Sequence, residues 1–387
     1  MRQSGLSRPA GVLAGLFIFV PSVLLAQRTL SREGDQWVET LTGTAPAAAR
    51  LRVNCHGPVH LEGGAASEIA YSVKLSVRAR NEAAARRLLG RFGVRTMRSG
   101  DWSVVTTEGG PVTSILTLQA PRLEAAVIST AEGGVEANGI DGALTADSGA
   151  GELKCDRVRG DCRLMTGGGD ILVGEAGARL RAATGGGRIA VKSVRGEAAL
   201  ETAGGDIEVG DAGATVRADT AGGSIRVTRA GGSVTASTGG GPIVIGQAGG
   251  VVITRNMAGP VQVGAAPGVR SESGTGGVQL SNIAGPIRVS TAIGNIMASL
   301  LAGSPLSDSF LATGNGDITV LIPSNLGLTI RAENDLADSI RRIVSDFPGI
   351  PVRMMGTQVV AEGPVNGGGP LLRISGTGGT IFIKRQP

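Results

Sequence analysis

With 387 residues the chain could hold two or three ordinary domains or one long repeat array. Its 64 glycines stand against six Phe, two Trp and one Tyr, too few aromatics for a conventional core, while recurrent Ile, Val and Thr exclude a disordered chain. The formal charge of +5 carries no run of like sign and no basic patch interleaved with aromatics, which excludes a nucleic-acid partner.

Residues 1–26 read as a secretory signal peptide. Arg2 and Arg8 make a positive start, Ala10 to Leu25 is apolar apart from small residues, Pro21 and Ser22, and Ala26 is a small residue for cleavage. Gln27 follows rather than cysteine, so no lipoprotein anchor is indicated. An uncleaved anchor is disfavoured, because the apolar run falls short of the ~20 residues that span a bilayer. Without Arg2 and Arg8 the balance is 35 basic against 32 acidic residues, or +3.

Residues 27–128 predict longer alternating strands, including Ile69 to Val77 and Thr113 to Leu118. A helix is expected from Glu82 to Phe92, with Asn81 as N-cap, Ala85, Leu88, Leu89 and Phe92 on one face, and Gly93 at its end.

From 129 to 300 an 18-residue period takes over. Thr166-Gly167-Gly168-Gly169-Asp170-Ile171-Leu172-Val173 returns as Thr184 to Val191, Thr202 to Val209, Thr220 to Val227 and Thr238 to Ile245. A second strand lies nine residues on, at Leu144, Cys162, Leu180, Ala198, Val216, Val234 and Val252. Alternation such as Ile207-Glu208-Val209 puts the apolar pair on one face. The glycine-rich turn is expected to need positive φ at a tight corner. A unit this short cannot bury its face alone, so copies must stack. Residues 301–387 return to irregular strands, with Asp317 to Leu321, Leu371 to Ile374 and Thr380 to Ile383 expected. The fold class is therefore all-β: a single-stranded β-helix, or β-solenoid, of about ten 18-residue coils at 129–300. Capping regions flank it at 27–128 and 301–387, with one short N-terminal helix.

The repeated Thr-Gly-Gly-Asp-Ile-x-Val phrase resembles a bacterial family of unknown function, the β-strand-repeat proteins labelled "putative adhesins", which is related to the autotransporter adhesin head (head GIN) domains. Ser345-Asp346-Phe347-Pro348, Asn366 to Gly369 and the stretch Leu371 to Ile383 are similar to the way that family ends. The likeness spans roughly residues 50 to 387 and rests on turn-and-strand phrases. It implies an envelope β-solenoid and brings no catalytic residues.

Candidate chemistry is sparse. Asp170, Asp206 and Asp317 sit next to isoleucine, but the column Glu152, Asp170, Arg188, Asp206, Ser224, Pro242 contains arginine and proline, which would break a calcium ladder. The column Asp161, Arg179, Glu197 alternates in sign, as cross-strand pairs do. Stepping six from Ile171 gives Gly177 and Ala183, so the period is not that of hexapeptide acyltransferases, and the repeats hold no histidine base. A rod without aromatics is also a poor surface for cutting polysaccharide. Cys55, His56 and His60 could be three zinc ligands, but strand alternation turns His56 away from Cys55. The Thr130, Ser148, Thr166, Thr184, Thr202, Thr220, Thr238 column suggests ice binding, yet its parity points inward, where a hydrogen-bonded corner ladder is expected. Cys155 and Cys162 share an interior corner, as a disulfide or as core thiols. Cys55 is left as a buried thiol.

No catalytic, cofactor-binding or metal-binding residue is assigned, and no cofactor is implied. The sequence favours an exported, non-enzymatic solenoid of the periplasm, outer envelope or cell exterior, with a structural or binding role toward a protein or polysaccharide partner. The alternative is a carbohydrate-active envelope enzyme with its site in a capping region, in a pocket lined by Trp37, Trp102, His56 or acidic residues.

Overall fold

The computed structural model describes residues 28–64, 66–110, 112–302, 306–335 and 342–386; the expected signal peptide lies outside them. Period-two alternation builds two facing sheets of 18 strands each. In the first, Ile189, Ile207 and Ile225 stack in register, with Ala190, Glu208 and Arg226 on the opposite face. In the second, Leu180, Ala198 and Val216 stack in the same way. Ile171, Ile189, Ile207 and Ile225 have no exposed surface, so the slot between the sheets is a continuous aliphatic core. The fold is a β-solenoid, and among the described residues no helix is long and apolar enough to cross a membrane.

Eleven coils follow one another in sequence order, from Ala125–Thr130 with Val135–Asn138 to Ser309–Asn315 with Ile318–Ile322. Two further levels at each end are out of order. At the N-terminal end the coil Arg50–Cys55 with Val59–Gly63 lies between Trp102–Glu108 with Thr113–Ala120 and the first sequential coil. At the other end Leu371–Gly376 with Ile381–Arg385 is intercalated between the eleventh coil and Leu328–Asn334 with Ile343–Ser345. Eleven and four make fifteen parallel levels, a stack of roughly 65–70 Å at the ~4.8 Å strand spacing. Parallel coils thus extend into both flanking regions, which short-range periodicity did not reveal.

The outermost levels are closed by antiparallel strands: Ile69–Val77 and Gln36–Ala45 on the first sheet, Gly93–Ser99 and Gln358–Val365 on the second. The helix runs Glu82–Leu89, and the Asn81 side chain accepts from Ala84 N at 2.9 Å, as expected of an N-cap. It stops short of Phe92 because Arg91 and Phe92 N–H groups turn to i−3 carbonyls, tightening the chain out of the helix. Gly93 begins the next strand instead of ending the helix.

The expectation of positive φ in the repeat turns fails for the central coils. Gly151, Gly169, Gly187, Gly205, Gly223 and Gly241 all lie outside the left-handed region. Their requirement is contact between coils: a Cβ on Gly205 would stand 2.0 Å from the Gly187 carbonyl oxygen, and one on Gly223 2.0 Å from that of Gly205. At this turn positive φ appears only in later coils, as at Gly259, Gly276, Gly294 and Gly316. The first turn position tolerates alanine at Ala203 and Ala221, and the middle one, at Gly204 and Gly222, faces open space.

Candidate functional site

The polar columns of the rod resolve into structural roles. Thr166, Thr184, Thr202, Thr220 and Thr238 are buried, and each hydroxyl donates to the turn carbonyl of the preceding coil; Thr184 reaches Gly169 O at 2.8 Å and Thr202 reaches Gly187 O at 2.9 Å. The same oxygens accept from the third glycine of their own turn, Gly205 N lying 3.2 Å from Thr202 Oγ1. Each hydroxyl therefore clasps two coils, and the column presents no outward threonine array. Asp170 and Asp206 cap the next coil, accepting from Arg188 N at 2.8 Å and Ser224 N at 2.7 Å. The Ser224 backbone and hydroxyl donors hold the Asp206 carboxyl below its usual range, chiefly the backbone one.

Cys155 and Cys162 face each other in the core with sulfurs 3.6 Å apart, as free thiols. Contact with Cys162, together with burial, pushes the Cys155 thiol well up, so it stays protonated. Cys55 occupies the threonine position of its coil, opposite Thr130, with its Sγ donating to Gly57 O at 3.3 Å. Desolvation is the main cause of its raised pKa. His56 and His60 are exposed while Cys55 is buried, and His60 Nδ1 lies 2.9 Å from Glu136. Among the described residues no three His, Cys, Asp or Glu side chains converge as metal ligands.

A cavity of about 440 Å³ in the N-terminal region is lined by His56, Phe92, Ser114 and Glu132 among others. No hydrogen bond links the His56, Ser114 and Glu132 side chains to one another. Trp37 and Trp102 do not line it; Arg32 lies over Trp37, and Arg52 lies over Trp102 at 4.9 Å.

The larger concavities run along the outer sheet faces. One groove of about 640 Å³ on the first sheet passes Lys154, Leu172, Gly174, Lys192, Glu208 and Arg226. One of about 950 Å³ on the second passes Asp147, Met165, Ala183, Glu201 and Asp219. Some charges on both faces are paired, Arg188 with Glu208, Arg217 with Asp219 at 2.9 Å and Arg229 with Asp211 at 3.5 Å, while Lys192, Arg226, Asp147 and Glu201 form no ion pair among the described residues. The second face differs near its C-terminal end. There Arg288, Phe310 and Arg373 are register neighbours on three successive strands, all outward. Sequence reading missed this group because Arg373 belongs to the intercalated coil, and only the spatial order brings it beside Phe310.

The sequence matches no family model and no curated protein. Among solved structures, a "putative adhesin" of Bacteroides fragilis NCTC 9343 is similar over 73% of this chain and 96% of its own, with 12% identity and a TM-score of 0.28. A "putative cell adhesion protein" of Clostridium sporogenes ATCC 15579 covers 90% of this chain and 100% of its own, with 9% identity and a TM-score of 0.20. Both bear the kind of name given to the family that the repeat phrases resemble. At these TM-scores neither carries weight in assigning a role.

Proposed function

We propose that the chain is an exported, non-enzymatic rod of the cell envelope whose outer sheet faces bind an extended partner. The observation that carries this reading is the pair of long faces that repeat every coil. Such a surface meets an extended partner with the same geometry at many levels, so weak contacts add along the rod. The threonine hydroxyls of the central coils are committed to holding coils together, and Asp170 and Asp206 cap backbone rather than converge. A candidate place for the enzyme alternative is the cavity beside His56.

The test is co-sedimentation of the full chain with isolated cell-wall and outer-membrane polymers, alongside assays for their depolymerisation. Saturable binding without turnover is expected. Turnover abolished by His56→Ala, or absence of binding to every envelope fraction, would overturn the reading.

A further inference from the structure

Three outward arginines of the second sheet pair with the carboxylate two residues on, and two of them, Arg270 and Arg331, are register neighbours of Arg288 and Arg373. Arg217 pairs with Asp219, Arg270 with Glu272 at 2.9 Å, and Arg331 with Glu333 at 2.7 Å. Arg163 and Arg181 in the same column are followed instead by Met165 and Ala183, and the Arg163 guanidinium contacts Met165. At Arg288 and Arg373 the second residue on is Ser290 and Ser375. Among the described residues neither guanidinium has an ion-pair or hydrogen-bond partner. Between them stands Phe310, 39% exposed, with Ala312 beside it. Neither arginine lies over the ring. No carboxylate occurs within the strands Ile287–Ile293, Ser309–Asn315 or Leu371–Gly376. Asp308, just before the middle strand, accepts from Leu371 N at 3.3 Å.

We infer that Arg288, Phe310 and Arg373 form a binding strip for an acidic polysaccharide of the polyuronate class. This rests on the reading of the rod as a binding surface. The two guanidiniums rise from strands two rungs apart, about 9.6 Å at the ~4.8 Å strand spacing, a separation of the order of a disaccharide repeat. Each presents a planar fork that matches a carboxylate in two hydrogen bonds. The apolar face of the intervening pyranose stacks on Phe310, whose ring is electron-rich at its face and attracts polarised C–H groups. Ser290 and Ser375 flank Ala312, the next outward position after the ring, with hydroxyls for sugar oxygens, and Ala312 leaves the floor low enough for a chain to lie along the rod. A lone multivalent phosphate would gain from the arginines but would have no use for the ring. A neutral glycan would use the ring and leave two desolvated cations unpaired.

Affinity electrophoresis of the full chain through gels containing polygalacturonate, neutral dextran or polyphosphate tests the strip. Polygalacturonate should retard the protein, less so at high salt, and dextran should not. The double variant Arg288→Gln/Arg373→Gln should weaken polygalacturonate binding about tenfold or more, as expected for lost charge-assisted hydrogen bonds. Phe310→Ala should weaken it severalfold. The control Arg163→Gln/Arg181→Gln, in the same column several levels away, should bind as the parent does. All four changed arginines are exposed, and unchanged thermal melts show that folding is intact. Equal binding by the parent and the strip variants, or stronger retention on polyphosphate with Phe310→Ala harmless, would overturn the inference. In either case a chain that still sediments with envelope polymers keeps the broader reading, whereas loss of all binding by the parent removes both.

Discussion

Gly204 and Gly205 are adjacent, and alanine at each adds the same methyl group, yet their surroundings differ completely. The Cβ of Gly204→Ala meets nothing within 4 Å, whereas that of Gly205→Ala stands 2.0 Å from Gly187 O, 2.5 Å from Gly187 C and 2.9 Å from Arg188 N. All three are backbone atoms, which cannot rotate away. Ordinary contact needs ~3.5 Å, so the coils must part locally by about 1.5 Å. The bond from Thr202 Oγ1 to Gly187 O, now 2.9 Å, spans the same gap and would be stretched beyond the usual range. Overpacking strain of about 1–3 kcal/mol and a lost buried hydrogen bond of about 1 kcal/mol give a destabilisation of about 2–4 kcal/mol. Gly204→Ala should be neutral or stabilising by up to about 1 kcal/mol, through reduced freedom of the unfolded chain. Urea denaturation followed by circular dichroism measures both, with hydrogen exchange at coil 198–212 as a local readout should unfolding depart from two states. The coils do accommodate Ala203 and Ala221, two positions before the third turn glycine. If Gly205→Ala unfolds at the same urea concentration as Gly204→Ala, the third turn position relaxes equally well, and close stacking does not explain its glycine.

Ile207→Asp should destabilise by more than about 3 kcal/mol, since it buries an unpaired charge in a fully buried site, while Glu208→Lys should change stability by under about 1 kcal/mol; thermal melts ranking them in reverse would refute the register. Alkylation of the denatured but unreduced chain, followed by peptide mapping of protein exported by cells, should label both Cys155 and Cys162 if they remain the core thiols seen here; absence of label on both, regained after reduction, would mean a disulfide. Asp206, with its lowered pKa, contributes stability that is present above the usual aspartate range and lost as pH falls through its folded value. Asp206→Asn should therefore show a smaller loss of stability between neutral and acid pH, read from melts across that range. Intact mass from the producing cell should show a chain starting near Gln27, and full-length material held in membrane would contradict export and release.

The rod was legible because its cause is local and repeated. Ile171, Ile189, Ile207 and Ile225 mark the core at a constant interval, and the intervening parity assigns Thr184 or Thr202 to the interior without any coordinates. The reason for the glycines was not legible. Positive φ and close stacking both exclude a side chain, so composition cannot separate them, and only the position of the neighbouring coil does. Cys55 was placed inward by alternation, but its membership of the threonine column was hidden by the 74 residues that separate it from Thr130, its register partner. The strip at Arg288, Phe310 and Arg373 was illegible for the same reason, since adjacency in space there skips a long stretch of chain.

The out-of-order levels also bear on how a parallel stack can end. A solenoid laid down strictly in sequence finishes on a coil bonded on one side only, and such terminal coils fray first. Here Arg50–Cys55 is bonded to Trp102–Glu108 on one side and Ala125–Thr130 on the other, while Leu371–Gly376 is bonded to both Ser309–Asn315 and Leu328–Asn334. Removing either segment breaks two ladders instead of one. The levels left outermost are backed by antiparallel strands except at Ile343–Ser345, and the edge strands of the two sheets, Arg28–Glu33, Gly93–Ser99, Ile343–Ser345 and Val352–Met355, are short or charged. Charged or short edges discourage further strand addition. The stack is thus pinned at both ends by segments distant in sequence, and its exposed repeats lie on the sheet faces rather than at the tips. In the proposed function, association is therefore sideways, along the length of the rod, where the arginine and phenylalanine strip lies.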